Sequence, residues 1–551
     1  MSKKLDITIK TDVLIIGAGG AGLRAAIEAK QKGADVLVIT KEYMGGAHTG
    51  MAMGGINVAI KAPATSRQHF DDTIKGGWGI NNYKMVKIFT KEMPQRVYDL
   101  EKYGVKFDRL PDGTFYTWAG GKQSAPLNLC AGDYTGREMM RGLVKEAKRL
   151  KIKYLADYFV TKLLVNNKKV IGAFLLDLKT KKFKVVLAKV TIVATGGAGM
   201  LYQVNTNAPS NTGEGYAWAL EAGAKLADME MVQFHPTGMA YPPKKRGVLV
   251  TEKVRGHGGI LKNRLGERFM SKYQPQRMEL AGRDEVTRAI YQELKEGRGT
   301  KHDAVYLDIT HWEKGQAKKI IPDVYAEHKE VGIDITKQMM EISPSMHHMM
   351  GGIKINEFGE TGVSGFLACG EVATGVHGAN RLGGNSIAEG QVFGKRTGAK
   401  AAELAKKSEI ENVPEKIIAN ELKRTEKLTK GKRGIKPSDL MKKLQKLMWD
   451  KVGIIRNQKD LKFALGELKK LEKQAKNMKA VGKGELQKAF EVSEMILVAQ
   501  TIVVSAILRK ESRGAHYRAD FPKMKKAWEK NIVVYMEKNK LKTKLSPIIK
   551  E

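Results

Sequence analysis

The chain has 551 residues, a formal charge of +37, 42% hydrophobic residues and 58 glycines. It is too long for one simple core and too apolar for a disordered chain, so a globular enzyme of about two to four domains is expected. Two cysteines, Cys130 and Cys369, exclude a disulfide framework and the four thiolates of an iron–sulfur cluster, which points to a reduced, cytoplasmic chain with no metal cluster of its own.

Along the chain, the opening MSKKLDITIK holds no apolar run of a signal peptide. Residues 12–39 then read as strand, turn, helix, strand: DVLII, GAGGAG, LRAAIEAKQKG, ADVLVIT. Gly17, Gly19 and Gly22 form G-x-G-x-x-G between strand and helix, with Gly20 among them. The first glycine permits the tight turn, the second lets the backbone approach a pyrophosphate, and the third lets helix and strand pack closely. A helix N-terminus placed there favours phosphate. An acid for the ribose should end the second strand; Thr40 and Lys41 stand there, with Glu42 beyond.

Two further strands run into glycines. VTIVATGGAG (190–199) ends in Thr195, Gly196 and Gly197, and GVSGFLACGEVATG lies at 362–375. Between 231 and 341 short strands and helices mix, and from about 410 helical periodicity dominates, as in DLKFALGELKKL. The longest apolar run, MILVAQTIVVSAIL at 495–508, has 14 residues with polar members. That is too short to span a bilayer and suits a buried helix. The excess of lysine could attract an acidic partner, a membrane face or nucleic acid. With no nucleic-acid-binding motif and no regular aromatic interleaving, it is read as the solvated face of lysine-rich helices.

The run His48-Thr49-Gly50-Met51-Ala52-Met53-Gly54-Gly55 resembles the H-T-x-x-A-x-G-G segment of the flavoprotein subunits of succinate dehydrogenase and fumarate reductase. Thr40-Lys41 after the second strand is also similar to that family. CAGDYTG with Asp133, MVQFHPTG, LVTEKVRGHGGIL, ELAGRDEVTRAI, PSMHHMMGGI, CGEVATG with Glu371, and GVHGANRLGGNSIAE follow in family order. The resemblance implies FAD, attached covalently through His48. Gly46-Ala47 departs from the arginine and serine that relatives often carry before that histidine.

It further implies a C4 dicarboxylate substrate. Arg381 would grip one carboxylate through paired hydrogen bonds, with His347 beside it; His348, where relatives have tyrosine, is the weaker candidate. His235, Thr251 and Glu252 would bind and twist the other carboxylate. Arg283 would give the proton, with Glu252 and Arg255 as its relay to solvent. That role runs against arginine's ordinary pKa above about 12, and purely electrostatic stabilisation by Arg283 is the alternative. Thr40, Lys41, Asp133, Thr195, Gly196, Gly197, Glu371, Asn385 and Ser386 join Gly17, Gly19, Gly20, Gly22, His48, Thr49, Gly54 and Gly55 as the expected cofactor residues, and no metal ligands are expected.

The fold implied is an α/β FAD-binding domain of the Rossmann-like, glutathione-reductase type, formed by residues 1–230 and 342–407. An α+β capping domain (231–341) is inserted in it, and a helical bundle (408–551) follows. Fumarate and succinate would be interconverted, with electrons passing through a separate iron–sulfur subunit. An archaeal-type thiol:fumarate reductase fits the lysine-rich composition. L-Aspartate oxidase is the nearest rival, the adenylylsulfate reductase flavoprotein a more distant one, and a basic interaction protein with a vestigial flavin fold the rival of another class.

Overall fold

Strand Leu5–Ile16 lies within a seven-stranded sheet, where its apolar residues 13–16 are shielded on both faces, as buried parallel strands require. The computed structural model describes residues 5–430 and 433–550. Residues 1–4, assigned above to the FAD-binding domain, and 431–432 and 551, assigned to the C-terminal domain, lie outside the described residues.

Val36–Ile39 flanks the first strand on one side, with Lys153–Leu155 beyond it, and Phe183–Val193 flanks it on the other, all parallel. Phe183–Val193 is long enough to do two jobs. Its C-terminal end pairs in parallel with Phe366–Ala368, and its first half pairs antiparallel with Lys169–Asp177, which in turn pairs with Tyr158–Asn166. Ile16 is in register with both Ile39 and Val193, and Ala368 with Val193. Four loops therefore leave the sheet at one level, at the carboxyl edge where open α/β sheets bind ligands. The two glycine-ended strands of the sequence reading are two of these. Gly17 turns the chain with φ +112°, and a Cβ there would sit 2.2 Å from the Ala194 carbonyl oxygen. A Cβ on Gly22 would come within 2.0 Å of the Gly17 oxygen, so only hydrogen fits between strand and helix.

A second sheet covers this edge: Val232–Met239, Met340–Met349, Val305–Asp308 and Ile260–Lys262, in that order and antiparallel. The boundary drawn at 341/342 falls inside Met340–Met349. That strand pairs with Val232–Met239 along its length, so residues through Met349 belong to the sheet of the cap.

The C-terminal region also departs from a purely helical bundle. Helices Glu415–Thr429, Pro437–Lys451, Gln458–Ala475 and Glu485–Leu508 pack as the periodicity predicts, with Leu461, Ala464, Leu468 and Leu471 inward. Asn531–Glu537 and Lys540–Ser546 then form a hairpin that joins Leu226–Ala227, Gly352–Lys354 and Ala373–Thr374 in a five-stranded sheet. Glu485–Leu508 extends the expected buried helix to 24 residues; by length and composition it could cross a membrane, but 67% of its most apolar window is buried inside the protein.

Buried arginines tie this region to the rest. Arg509 Nε donates to Glu230 Oε1 at 2.6 Å and Nη1 to Glu511 Oε1 at 3.2 Å, while Arg456 Nη1 donates to the Glu230 carbonyl at 2.7 Å. Removing one member of a fully buried ion pair strands the other charge, at about 3–5 kcal/mol. Glu230→Ala removes the shortest of these contacts but leaves Arg509 with Glu511 at 3.2 Å and Asp228 at 3.5 Å, so a loss of about 1.5–3 kcal/mol is expected, read as a shift of the urea midpoint of the FAD-loaded protein.

Candidate active site

The four sheet-edge loops and the cap enclose one large cavity of about 1550 Å³ of atom-free space, its open mouth included. Its lining runs without a break from the glycine turn at Gly17 to Arg283 of the cap, so cofactor segments and cap face one space. Gly17, Gly19, Gly20, Thr40, Lys41, His48, Thr49, Gly54, Gly55, Thr195, Gly196, Glu371 and Ser386 line it, and so do His235, Thr251, Glu252, Arg283, His347 and Arg381. These residues come from eight separated segments of the chain and line one chamber.

At its centre the Arg283 Nε donates to Glu252 Oε2 at 2.7 Å, and the Gly121 N–H donates to Glu252 Oε1 at 2.8 Å. Arg283 opens helix Arg283–Lys295, and Glu252 immediately precedes the turn Lys253–Gly256, so two separate cap elements present the pair. Arg255 lies behind the cavity wall, its Nη2 3.4 Å from Glu252 Oε2 as an ionic contact, while its Nη1 donates to the Glu279 carbonyl. Burial alone would raise the Glu252 pKa; Arg283 and Arg255 more than offset it and hold the carboxyl well below its usual range.

Arg381 reaches the same chamber from the loop before helix Asn385–Lys406. Its Nε is buried without a partner, and burial, with Arg283 nearby, pushes it well below arginine's usual range. A Cβ added to Gly383 would lie 2.8 Å from Arg283 Nη2 and 3.2 Å from both Glu252 oxygens, so the Arg381 loop passes directly against the Arg283–Glu252 pair. Around these charges the imidazoles are neutral. Burial lowers His48 to about 4, reinforced by Arg381, and takes His235 and His347 well below 6.5, reinforced by Arg283. The rings of His235 and His347 are 5.0 Å apart, those of His48 and His347 6.3 Å. Burial also raises Glu371 to about 7. Arg283 and Arg255 thus keep the Glu252 carboxylate ionised, with the Arg381 guanidinium in the same chamber.

Several residues were not foreseen. Gln233 Oε1 accepts from Arg283 Nη1 at 3.1 Å, and its Nε2 donates to Asn380 Oδ1 at 2.7 Å and to the Arg381 carbonyl at 2.8 Å, bridging the two arginines. Its position two residues before His235, on the same face of a strand, was the signal that could have found it. Thr206 Oγ1 lies 2.7 Å from His347 Nδ1 and orients that ring. Glu214 lines the cavity and, with Glu491 and Thr212, receives the Lys41 ammonium at 2.6, 3.3 and 2.9 Å. His348, the weaker candidate of the sequence reading, also lines the wall, its Nδ1 3.3 Å from Glu371 Oε1.

Four expected cofactor residues lie off the cavity. Asn385 turns away: its Oδ1 accepts from Asn57 Nδ2 at 2.8 Å and lies 3.0 Å from His69 Nε2, and its Nδ2 donates to Thr73 Oγ1 at 3.1 Å. Asp133 instead accepts the backbone N–H groups of Asp323 and Val324 in the cap. Gly197 makes room for Glu371, whose Oε1 would sit 2.2 Å from a Cβ there, and Gly22 is the packing glycine already described.

The lining fits FAD. The glycine turn leaves the N-terminus of helix Gly20–Gln31 at the cavity wall, with Thr49 Oγ1 accepting the Gly20 N–H at 3.1 Å. His48 Nδ1, Thr195 Oγ1, His348 Nε2 and Arg381 Nε are buried without partners, polar atoms of the kind a bound ligand satisfies.

Comparison with known proteins agrees. A model of an FAD binding domain matches residues 12–387, and one described as "Fumarate reductase flavoprotein C-term" matches 441–550. The chain is an FAD-dependent oxidoreductase. It is 46% identical to an uncharacterized FAD-dependent oxidoreductase of Methanocaldococcus jannaschii over 96% of each chain. It is 42% identical to one of the subunits of the fumarate reductase (CoM/CoB) of Methanothermobacter marburgensis, covering 95% of this chain and 96% of that one. The E. coli quinol fumarate reductase chain FrdA superposes with a TM-score of 0.94 at 31% identity, over 99% of this chain and 97% of that one. The chain belongs to the family of fumarate reductase and succinate dehydrogenase flavoprotein subunits.

The buried network around Asn385 has a pH signature. Burial lowers His69 to about 4, opposed in part by the Asn385 contact. The unfolded residue takes up a proton near pH 6.5 and the folded one only near 4, so stability is lost as pH falls through that window, by about 3 kcal/mol at this residue. His69→Gln is expected to lose about 3 kcal/mol less than the unaltered protein between pH 6.5 and 4, measured by urea denaturation across that range.

Proposed function

We propose that this chain is the catalytic subunit of a fumarate reductase, interconverting fumarate and succinate. The observation that carries the reading is the convergence of Arg283 and Arg381 on one buried chamber, with Arg255 behind its wall, around one ionised carboxylate and neutral imidazoles. Such an excess of positive charge is compensated by a compact dianion. Arg381, with its unpaired Nε, and His347 take one carboxylate, and His235 and Thr251 take the other. An amino-diacid such as aspartate fits less well, because Glu252, the carboxylate beside Arg283, already has both oxygens engaged.

FAD bound along the glycine turn supplies the hydride chemistry at the central bond. Arg283 holds a proton within the chamber and gives it to the carbon that the hydride does not reach; Glu252, bonded to Arg283 Nε, and Arg255 behind it return the proton. Arginine donates here only because transfer is short, the developing carbanion is strongly basic, and the adjacent carboxylate stabilises the restored guanidinium. His48, neutral at neutral pH and lining the cavity, is the residue for covalent attachment of the flavin. Two cysteines cannot hold a cluster, and no metal-binding group of three or more His, Cys, Asp or Glu side chains occurs among the described residues. That relatives are named as subunits of fumarate reductase and succinate dehydrogenase supports electron entry through a separate iron–sulfur subunit, in the cytoplasm, with any membrane contact made by partners. The 42% identity to a chain of a fumarate reductase (CoM/CoB) favours thiols over a quinone as their source.

Arg283→Gln is expected to lower fumarate reduction by reduced viologen by about 10²- to 10⁴-fold with flavin content unchanged; retention of more than a tenth of the rate removes the proton-donor role. In acid-precipitated protein the flavin is expected to stay in the pellet and to move to the supernatant in His48→Ala, and flavin in the supernatant of the unaltered protein refutes the covalent link.

A further inference from the structure

Asp133 is fully buried yet does not line the cavity. Its Oδ1 accepts the Asp323 N–H at 2.9 Å and its Oδ2 the Val324 N–H at 3.1 Å. These are the first donors of helix Pro322–Glu330 in the cap, since Pro322 has no N–H. The residue before the helix is Ile321, whose side chain offers no acceptor, and the helix makes no side-chain cap of its own. An acid from 190 residues away therefore does what a local Ser, Asp or Asn ordinarily does, and its charge opposes the positive end of the helix.

The same short loop holds the cap at a second place. The Gly132 carbonyl accepts from Lys253 Nζ at 2.9 Å, and Lys253 directly follows Glu252. Outside, Arg137 pairs with Asp323 at 3.0 Å. On its other side the loop meets the turn carrying His48: the Gly136 N–H donates to the Ala52 carbonyl at 2.8 Å, and a Cβ on Gly136 would collide with the Thr49 carbonyl oxygen. One segment, 130–137, thus touches both the cofactor loop and the cap.

We propose that Asp133 is a positioning residue that clamps the N-terminus of cap helix Pro322–Glu330 to the FAD-binding domain and so holds the cap closed, with Glu252 and Arg283 in register over the substrate. Its activity consequences rest on the function proposed above; its structural consequence does not. Without the carboxylate the two N–H groups lose their acceptors and the open cap gains population. Substrate binding must then close it again, which raises the apparent KM by the inverse of the closed fraction.

The test compares the FAD-loaded full chain with Asp133→Ala and Asp133→Asn, the latter keeping one acceptor oxygen. Expected in Asp133→Ala are amide hydrogen exchange over residues 322–330 at least about tenfold faster, KM for fumarate about tenfold higher, kcat per bound flavin within about threefold, and unchanged flavin content. Asp133→Asn, which loses one of the two acceptors, is expected to show an intermediate effect, with exchange over 322–330 about threefold faster, and that acceleration decides the question if Asp133→Ala does not fold. Unchanged exchange over 322–330 overturns the proposal. Loss of flavin with that exchange unchanged assigns Asp133 to the cofactor instead, and a fall in kcat at constant KM reduces it to a contribution to general stability. The exchange measurement decides the clamp even if fumarate proves not to be the substrate.

Discussion

An arginine held by a carboxylate inside a closed chamber is the constraint on which the rest depends. Arg283 and Glu252 come from different elements of the cap and meet at 2.7 Å, and the Gly121 N–H of the other domain donates to the same carboxylate at 2.8 Å. A pair so deeply buried is weak evidence for stability, because desolvation offsets much of its Coulomb energy. Its value is positional. Gln233 then links Arg283 to Asn380 and the Arg381 backbone, so the two arginines that set the chamber's charge cannot shift independently. Neutral imidazoles complete the wall, and their neutrality follows from the same burial and positive surroundings.

Much of this was legible in the sequence because the relevant residues are bound to backbone demands. Gly17 must have positive φ and no Cβ, Gly22 must let a helix touch a strand, and Arg381 stands in a glycine-rich loop that has to run against Arg283 and Glu252. Patterns of that kind survive in a linear string. What the string hides is the identity of distant partners. Asp133 sits in a motif read as a cofactor contact, yet its two acceptors face a helix of the cap, and no local spacing distinguishes a phosphate from a helix N-terminus as the object of a buried carboxylate. Asn385 likewise follows a glycine turn but closes a network with His69, Thr73 and Asn57.

The hairpin Asn531–Ser546 was missed for a different reason. Its lysines at 540, 542 and 544 alternate with less exposed residues along an outer strand, the composition that guards sheet edges against pairing. Read beside lysine-rich helices, those charges looked like more of the same solvated surface. The alternation was present, but it gains meaning only once Leu226–Ala227 offers an edge to complete. The limit of the sheet of the cap was hidden in the same way, since Met340–Met349 shows its allegiance only through its pairing with Val232–Met239.

That pairing gives the chamber an unusual economy. Val232–Met239 and Met340–Met349 are the two places where the chain crosses between FAD-binding domain and cap, and they carry His235 and His347. The two histidines proposed to hold the ends of a dicarboxylate are thus mounted where the chain crosses between the domains, whereas Glu252 and Arg283 lie on cap elements between those crossings. A swing of the cap would displace the outlying pair through the longer arc and leave the two histidines nearly in place. On the function proposed above, such an arrangement would let a substrate be greeted before it is enclosed.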